Sequence, residues 1–196
     1  MIELAKQALD VGLYTNKRDN SLAFWRNEVG LPFSELLPVG RGVQQHRHLI
    51  GDSVLKINHS REPLNAAEAG GIRAITLHKA KASELSELRD PDGNVVFVPG
   101  GHDHGFHALT VHLTVTSLQQ HLDFYGEALG LPAADGHSFR CGVSRIEVVE
   151  GDAALDPKQR APGYRYMTVQ VFDVKATHDH ILRRGGREGM APSMPG

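Results

Sequence analysis

The chain has 196 residues, of which 40% are apolar, 6% aromatic and 22% charged, a balance that excludes long disorder and leaves room for one large domain or two of about a hundred residues each. Lys plus Arg total 21 against 23 for Asp plus Glu, a net charge of −2, so no basic field exists to gather nucleic acid or anionic lipid, and neither is an expected partner. One cysteine, no apolar run near the roughly 18 residues of a membrane span, and an opening without a basic start and apolar stretch predict a soluble cytoplasmic protein with no internal disulfide.

Residues 9–15 alternate or run apolar, rich in Val, Leu and Thr, and predict a half-buried strand. A helix follows, with Asp19 or Asn20 as its N-cap and Leu22, Trp25, Glu28 and Val29 at helical spacing. Gly30 stands where a left-handed C-cap is wanted, and Pro32 prevents continuation. Residues 43–50 and 53–58, divided by Gly51-Asp52, read as a hairpin, and 71–79 as a further strand. Asp90-Pro91-Asp92-Gly93-Asn94 signals a tight turn before the β-branched run 95–98, and Gly100 to Gly105 reads as a linker. Beyond it, 109–115 predicts a strand, and Ser117 caps a helix striped by Leu118, Leu122, Tyr125 and Leu129 and ended by Gly130 and Pro132. Strands over 138–141, 144–149 and 164–172 come next, then a helix over 175–184. Phe24, Trp25, Phe124 and Tyr125 are expected in the core, and Cys141 as a small buried hydrophobe.

The chain repeats itself. Leu22-Ala23-Phe24-Trp25 and Gly30-Leu31-Pro32 match Leu122-Asp123-Phe124-Tyr125 and Gly130-Leu131-Pro132 at an offset of 100, and Gly71 to Leu77 matches Gly163 to Val169 at an offset of 92. This sets two domains of one plan at 1–100 and 101–196. By the repeat, the second should go on to another strand, a tight turn and a final strand, which a longer gene or a partner chain would supply.

The 12 histidines direct attention to metal and proton chemistry. His46 and His48 share a face of their strand, and with His78 could form a substrate-binding, metal or acid–base site; the bland alternative is an exposed polar face. His102, His104 and His107 lie in or beside a Gly-rich linker, where solvated side chains are the ordinary case. His178 and His180, two apart on a helix, do not share a face.

Strand, helix and three strands, with L-x-F-[YW] in the helix followed by G-L-P and a later D-P-D-G-N, resemble the vicinal oxygen chelate superfamily, which includes glyoxalase I, the extradiol dioxygenases, and the bleomycin and fosfomycin resistance proteins. The resemblance implies an α+β fold of two repeated domains built from βαβββ modules, with mixed or antiparallel curled sheets and helices outside. It also implies a divalent iron, manganese or zinc held by two imidazoles and a carboxylate, or comparable ligands, with positions open for substrate. At the implied ligand positions this chain has Asp10 and Thr110 for the first His, Ala74 and Tyr166 for the second, and Phe97 for the carboxylate after D-P-D-G-N. Lys56 and Glu147 stand where glyoxalase-like members carry another carboxylate. No metal is therefore expected at the usual first-half position, where Asp10, Ala74 and Phe97 offer one ligand. In the second half, Glu147 and His112, two residues along from Thr110 and so on its face, are the expected catalytic and metal-binding pair. Tyr166 is expected to bind a substrate oxygen or to fill the pocket.

Two functions follow. One is a glyoxalase- or dioxygenase-like enzyme acting on a small oxygenated molecule. It would work by metal-dependent extradiol cleavage with His112 as base, or by lyase or isomerase chemistry in which Glu147 moves a proton between neighbouring carbons. The alternative is a non-catalytic, drug-binding protein of the bleomycin-resistance type. Both predict a small-molecule ligand and a homodimer.

Overall fold

In the computed structural model, which describes residues 1–65, 70–79, 84–100, 106–153 and 160–193, the alternating runs become two curled sheets in an α+β fold. The first half supplies β1 (Asp10–Thr15), α1 (Arg18–Ala23), β2 (Phe33–Pro38), β3 (Val43–Ile50), β4 (Ser53–Ser60), β5 (Ile72–Lys79), β6 (Leu85–Arg89) and β7 (Val95–Pro99). The second supplies β8 (Phe106–Val115), α2 (Leu118–Leu122), β9 (Ser138–Cys141), β10 (Ser144–Glu150), β11 (Gly163–Thr168) and α3 (Val174–Arg183). Sheet one has the order β11-β1-β4-β3-β2 and sheet two β6-β7-β5-β8-β10-β9. Each sheet thus takes strands from both halves, through the antiparallel pairs β1–β11 and β5–β8. Among the described residues no helix is long and apolar enough to cross a membrane.

The repeat is visible in local detail. Both helices widen into a π-helical turn, Phe24–Glu28 and Asp123–Ala128, closed by Val29 N–H to Phe24 O at 3.0 Å and Leu129 N–H to Phe124 O at 2.9 Å. Gly30 and Gly130 then turn left-handed at φ 83° and 67°, a conformation an L side chain resists. The N-termini differ from the sequence reading. Lys17, not Asp19 or Asn20, holds the first N-cap position, and its N–H is taken by Thr15 Oγ1 at 2.8 Å while Asp19 pairs with Arg18. Ser117 holds the second N-cap, but its side chain accepts no helix N–H; Glu150 Oε2, from β10, accepts from Leu118 N–H at 2.9 Å instead.

Two strands escaped the sequence. β2 and β6 are sheet edges, exposed along most of their length, so they carry no alternation of buried and open positions to read. The strand expected over 164–172 ends at Thr168, with only an isolated bridge from Val171 to Leu4 beyond it. Most of the linker, with His102 and His104, lies outside the described residues.

One apolar cluster joins the two sheets, with Val11, Leu13, Trp25, Leu55 and Ile57 fully buried on one side and Ile75, Leu77, Leu109 and Val111 on the other. Cys141 is buried in it, and burial pushes its thiol up to about 11. Phe124 departs from expectation. It is 36% exposed, whereas Phe24, at the equivalent place in the repeat, is 4% exposed.

His46 and His48 face α1 and its π-helical turn, not a cleft shared with His78, which belongs to sheet two. His48 is completely buried, accepts from Arg26 Nε at 3.1 Å through Nε2, and packs against the edge of Phe33. Burial first, then the Arg26 charge, pushes its pKa down to about 4. His46 is lowered too, chiefly by burial and Arg26.

Two measurements test this packing. Phe24→Ala should cost about 3–5 kcal/mol in urea unfolding, and Phe124→Ala clearly less, because only the first opens a cavity in the core. The second concerns pH. A folded histidine titrating near 4 against an unfolded value near 6.5 stabilises fully above pH 6.5, and that contribution is lost as the pH falls from 6.5 towards 4. His48 should account for on the order of 3 kcal/mol of that loss, and His48→Gln should flatten the pH profile by that amount.

Candidate functional site

The polar face of sheet two is built in rows. Alternation along each strand turns Ile75, Leu77, Leu109, Val111, Ile146 and Val148 to the core and leaves the intervening side chains on the other face. The register of β7, β5, β8, β10 and β9 then sets Val95, Ala74, His112, Glu147 and Ser138 in one row. The next row holds Phe97, Thr76, Thr110, Arg145 and Arg140.

The two expected catalytic residues meet. His112 Nδ1 lies 3.0 Å from Glu147 Oε2, and His112 Nε2 lies 2.7 Å from Thr76 Oγ1. Hydroxyl, imidazole and carboxylate therefore form a line across three strands drawn from both halves. The edge of Phe97 closes on the imidazole, with centroids 5.9 Å apart. Glu147 Oε1 is 3.3 Å from Arg145 Nε, and His78 Nε2 is 2.8 Å from Thr110 Oγ1. Burial pushes the His78 pKa down, with the His107 charge adding to it, which favours the neutral ring. A cleft of about 580 Å³ opens here, with His78, Thr110, Arg140, Arg145 and Glu147 in its wall. A larger recess, about 670 Å³, lies between the N-terminal segment and the Leu131-Pro132 turn, but no acid–base pair lines it.

Sheet one repeats the frame with different chemistry. Tyr166, Gly12, Lys56, Arg47 and Glu35 form its corresponding row. Where sheet two sets the large His112 beside the small Ala74, sheet one sets Gly12 beside Tyr166, whose ring fills the space: a Cβ on Gly12 would lie 2.1 Å from Tyr166 Cζ. Asn58 Nδ2 donates to the Tyr166 hydroxyl at 2.9 Å, and Asn58 Oδ1 accepts from Gln45 Nε2 at 2.9 Å. Lys56 Nζ sits 3.0 Å from Asp10 Oδ2 and donates to Thr168 Oγ1 at 2.7 Å, while Lys6 reaches the other Asp10 oxygen.

The divalent metal implied by the resemblance does not fit these donor sets. In sheet one an ammonium already neutralises Asp10. Ala74 and Phe97, which the sequence grouped with Asp10 as one position, stand in sheet two. In sheet two Glu147 and His112 are two donors engaged with each other and with Thr76. His78 does not add a third, because its Nε2 is engaged with Thr110 Oγ1 at 2.8 Å, in the row beside that of His112. Among the described residues no group of three or more His, Cys, Asp or Glu is placed to hold a metal.

Thr76, Arg140 and Arg145 were not singled out from the sequence, and Thr110 entered only as the residue standing where a ligand His was implied. A signal for two of them was there, since Thr76 lies two residues before His78 and Arg145 two before Glu147, on the same faces.

The model of the Glyoxalase/Bleomycin resistance protein/Dioxygenase superfamily matches residues 105–194. No curated protein matches the chain. Among solved structures, a single-residue variant of glyoxalase I from Zea mays superposes with a TM-score of 0.65 at 12% identity, covering 92% of this chain and 80% of that one. A putative dioxygenase from Bacillus subtilis gives 0.60 at 12% identity, covering 89% and 73%, and the cppA protein of Streptococcus pneumoniae 0.54 at 10%, covering 91% and 87%. These identities carry the fold alone. The match to the Glyoxalase/Bleomycin resistance protein/Dioxygenase superfamily is thus confined to residues 105–194, and the likeness of fold to the solved structures extends over the first half as well.

Proposed function

We propose that the chain is a glyoxalase- or dioxygenase-like enzyme that moves a proton on a small oxygenated molecule held in the sheet-two cleft, with His112 and Glu147 as its acid–base couple. The observation that carries this reading is the line from Glu147 Oε2 through both ring nitrogens of His112 to Thr76 Oγ1, at 3.0 and 2.7 Å. A carboxylate on Nδ1 holds the proton there and stabilises the imidazolium that forms when Nε2 accepts another. Thr76 occupies Nε2 in the free protein, so a substrate hydroxyl takes its place or passes a proton through its oxygen. The α-proton of a hydroxycarbonyl then moves to Nε2, the electron pair is held as an enediolate, the hydroxyl proton passes from one enediolate oxygen to the other, and the proton on Nε2 returns to the neighbouring carbon. Ring cleavage would demand a metal donor set that these residues do not compose, whereas proton transfer uses the groups in place.

The test is exchange of the carbon-bound protons of dihydroxyacetone and of dihydroxyacetone phosphate in D2O, followed by NMR with the full chain. Exchange should exceed the buffer blank and fall about 10²-fold or more in His112→Asn and in Glu147→Gln. Wild-type exchange no faster than the blank overturns the catalytic reading and leaves the cleft as a binding site of the drug-sequestering type.

A further inference from the structure

Arg140 and Arg145 are register partners on the antiparallel strands β9 and β10, on the face opposite Phe139 and Ile146. Directly opposed side chains of one sheet face stand about 5 Å apart at Cβ, and like charges there repel. Among the described residues the pair is balanced only in part, and on the Arg145 side alone. The Arg140 side chain makes no hydrogen bond or ion pair with any described residue, its backbone N–H alone reaching Pro132 O at 2.9 Å. Arg145 Nη1 reaches Asp135 Oδ2 at 3.2 Å, but that carboxylate is 90% exposed, so the pair is weak and easily exchanged. Arg145 Nε is buried, and its approach to Glu147 lacks the alignment of a hydrogen bond. The carboxylate in the cleft wall, Glu147, gives Oε2 to His112, and its Oε1, 3.3 Å from Arg145 Nε, offsets one guanidinium at most.

We propose that Arg140 and Arg145 form an anion clamp, and that the ligand of the sheet-two cleft carries a terminal carboxylate or phosphate. This rests on the reading of that cleft as the functional site. Guanidinium groups offer paired N–H donors matched to the two oxygens of a carboxylate or phosphate, so an anion converts the repulsion into two charge-assisted contacts. The clamp also sets a length. Arg145 lies two residues from Glu147 along β10, so the anionic end sits about 6.6 Å along the strand from the acid–base couple. That spacing suits a small hydroxy or oxo acid, or a phosphorylated hydroxycarbonyl, whose charged end is a few bonds from the carbon that loses its proton. His78 and Thr110, hydrogen-bonded to each other beside Arg145, give polar contacts to the stretch between.

The experiment compares three probes with one carbon frame, glycerol 3-phosphate, glycerate and glycerol, by saturation-transfer NMR and calorimetry on the full chain. The two anions should bind and glycerol should not, with the stronger of the two identifying phosphate or carboxylate as the natural end. The double variant Arg140→Gln with Arg145→Gln should weaken anion binding about tenfold or more, and added salt should weaken it in the wild type. Without anion the double variant should melt at or above the wild-type temperature, since it loses a repulsion, which a purely structural role for the arginines would not produce. Glycerol binding as well as the anions, no anion binding, or anion binding unchanged in the double variant each overturns the clamp. Arginine-dependent anion binding without proton exchange on either dihydroxyacetone or its phosphate would retain the clamp and remove the acid–base reading; exchange without an advantage for the anions would do the reverse.

Discussion

The antiparallel pairing of β5 with β8, and its twin between β11 and β1, is the constraint on which the rest depends. Each pairing joins a strand of one half to a strand of the other, so neither sheet can close within a single half. The site inherits this. Thr76 and Phe97 come from the first half and His112, Glu147 and both arginines from the second, and they meet because the backbone register fixes which residues share a row. A slip of β5 by one residue against β8 would turn Thr76 into the core and bring Ile75 out, away from His112's partner row.

The same frame has been filled in two ways. On sheet one, Asp10 is held by two ammonium groups and Tyr166 lies across the face, satisfied by Asn58, so the row is a closed network of internal bonds. On sheet two the corresponding places hold an imidazole, a carboxylate and a pair of guanidinium groups with donors to spare. An ammonium can neutralise a carboxylate as a cation would, but it offers no open coordination position, so the first face is closed by its own bonds.

Much of the fold was legible in the sequence, because it was written twice. The L-x-F-[YW] helix, the G-L-P stop and the Gly51-Asp52 and Asp90–Asn94 turns are local signals with a local cause, and they hold in place. The edges β2 and β6 were not legible, since a solvated edge strand has no buried face to enforce a period. For the site, the meeting of His112 with Glu147 could be anticipated from face and repeat. The separation of His78 from His46 and His48 could not, because it follows from which sheet β5 joins, a long-range choice that periodicity does not encode. The same long-range choice set Ala74 and Phe97 apart from Asp10.

The exchange of bulk between Gly12–Tyr166 and Ala74–His112 bears on how such a duplicated chain can change. Each pair keeps one large ring over one small residue, but the ring stands on opposite strands in the two sheets, and each pair is split between the halves. A gene conversion that copied β8 over β1 would therefore set an imidazole against the Tyr166 ring in the same volume. One that copied β1 over β8 would leave Gly12's counterpart facing Ala74 across a hole. Either event harms packing before it alters chemistry. Divergence of the two faces is thus locked in by volume, and the halves, once alike, can no longer repair one another from a single copy.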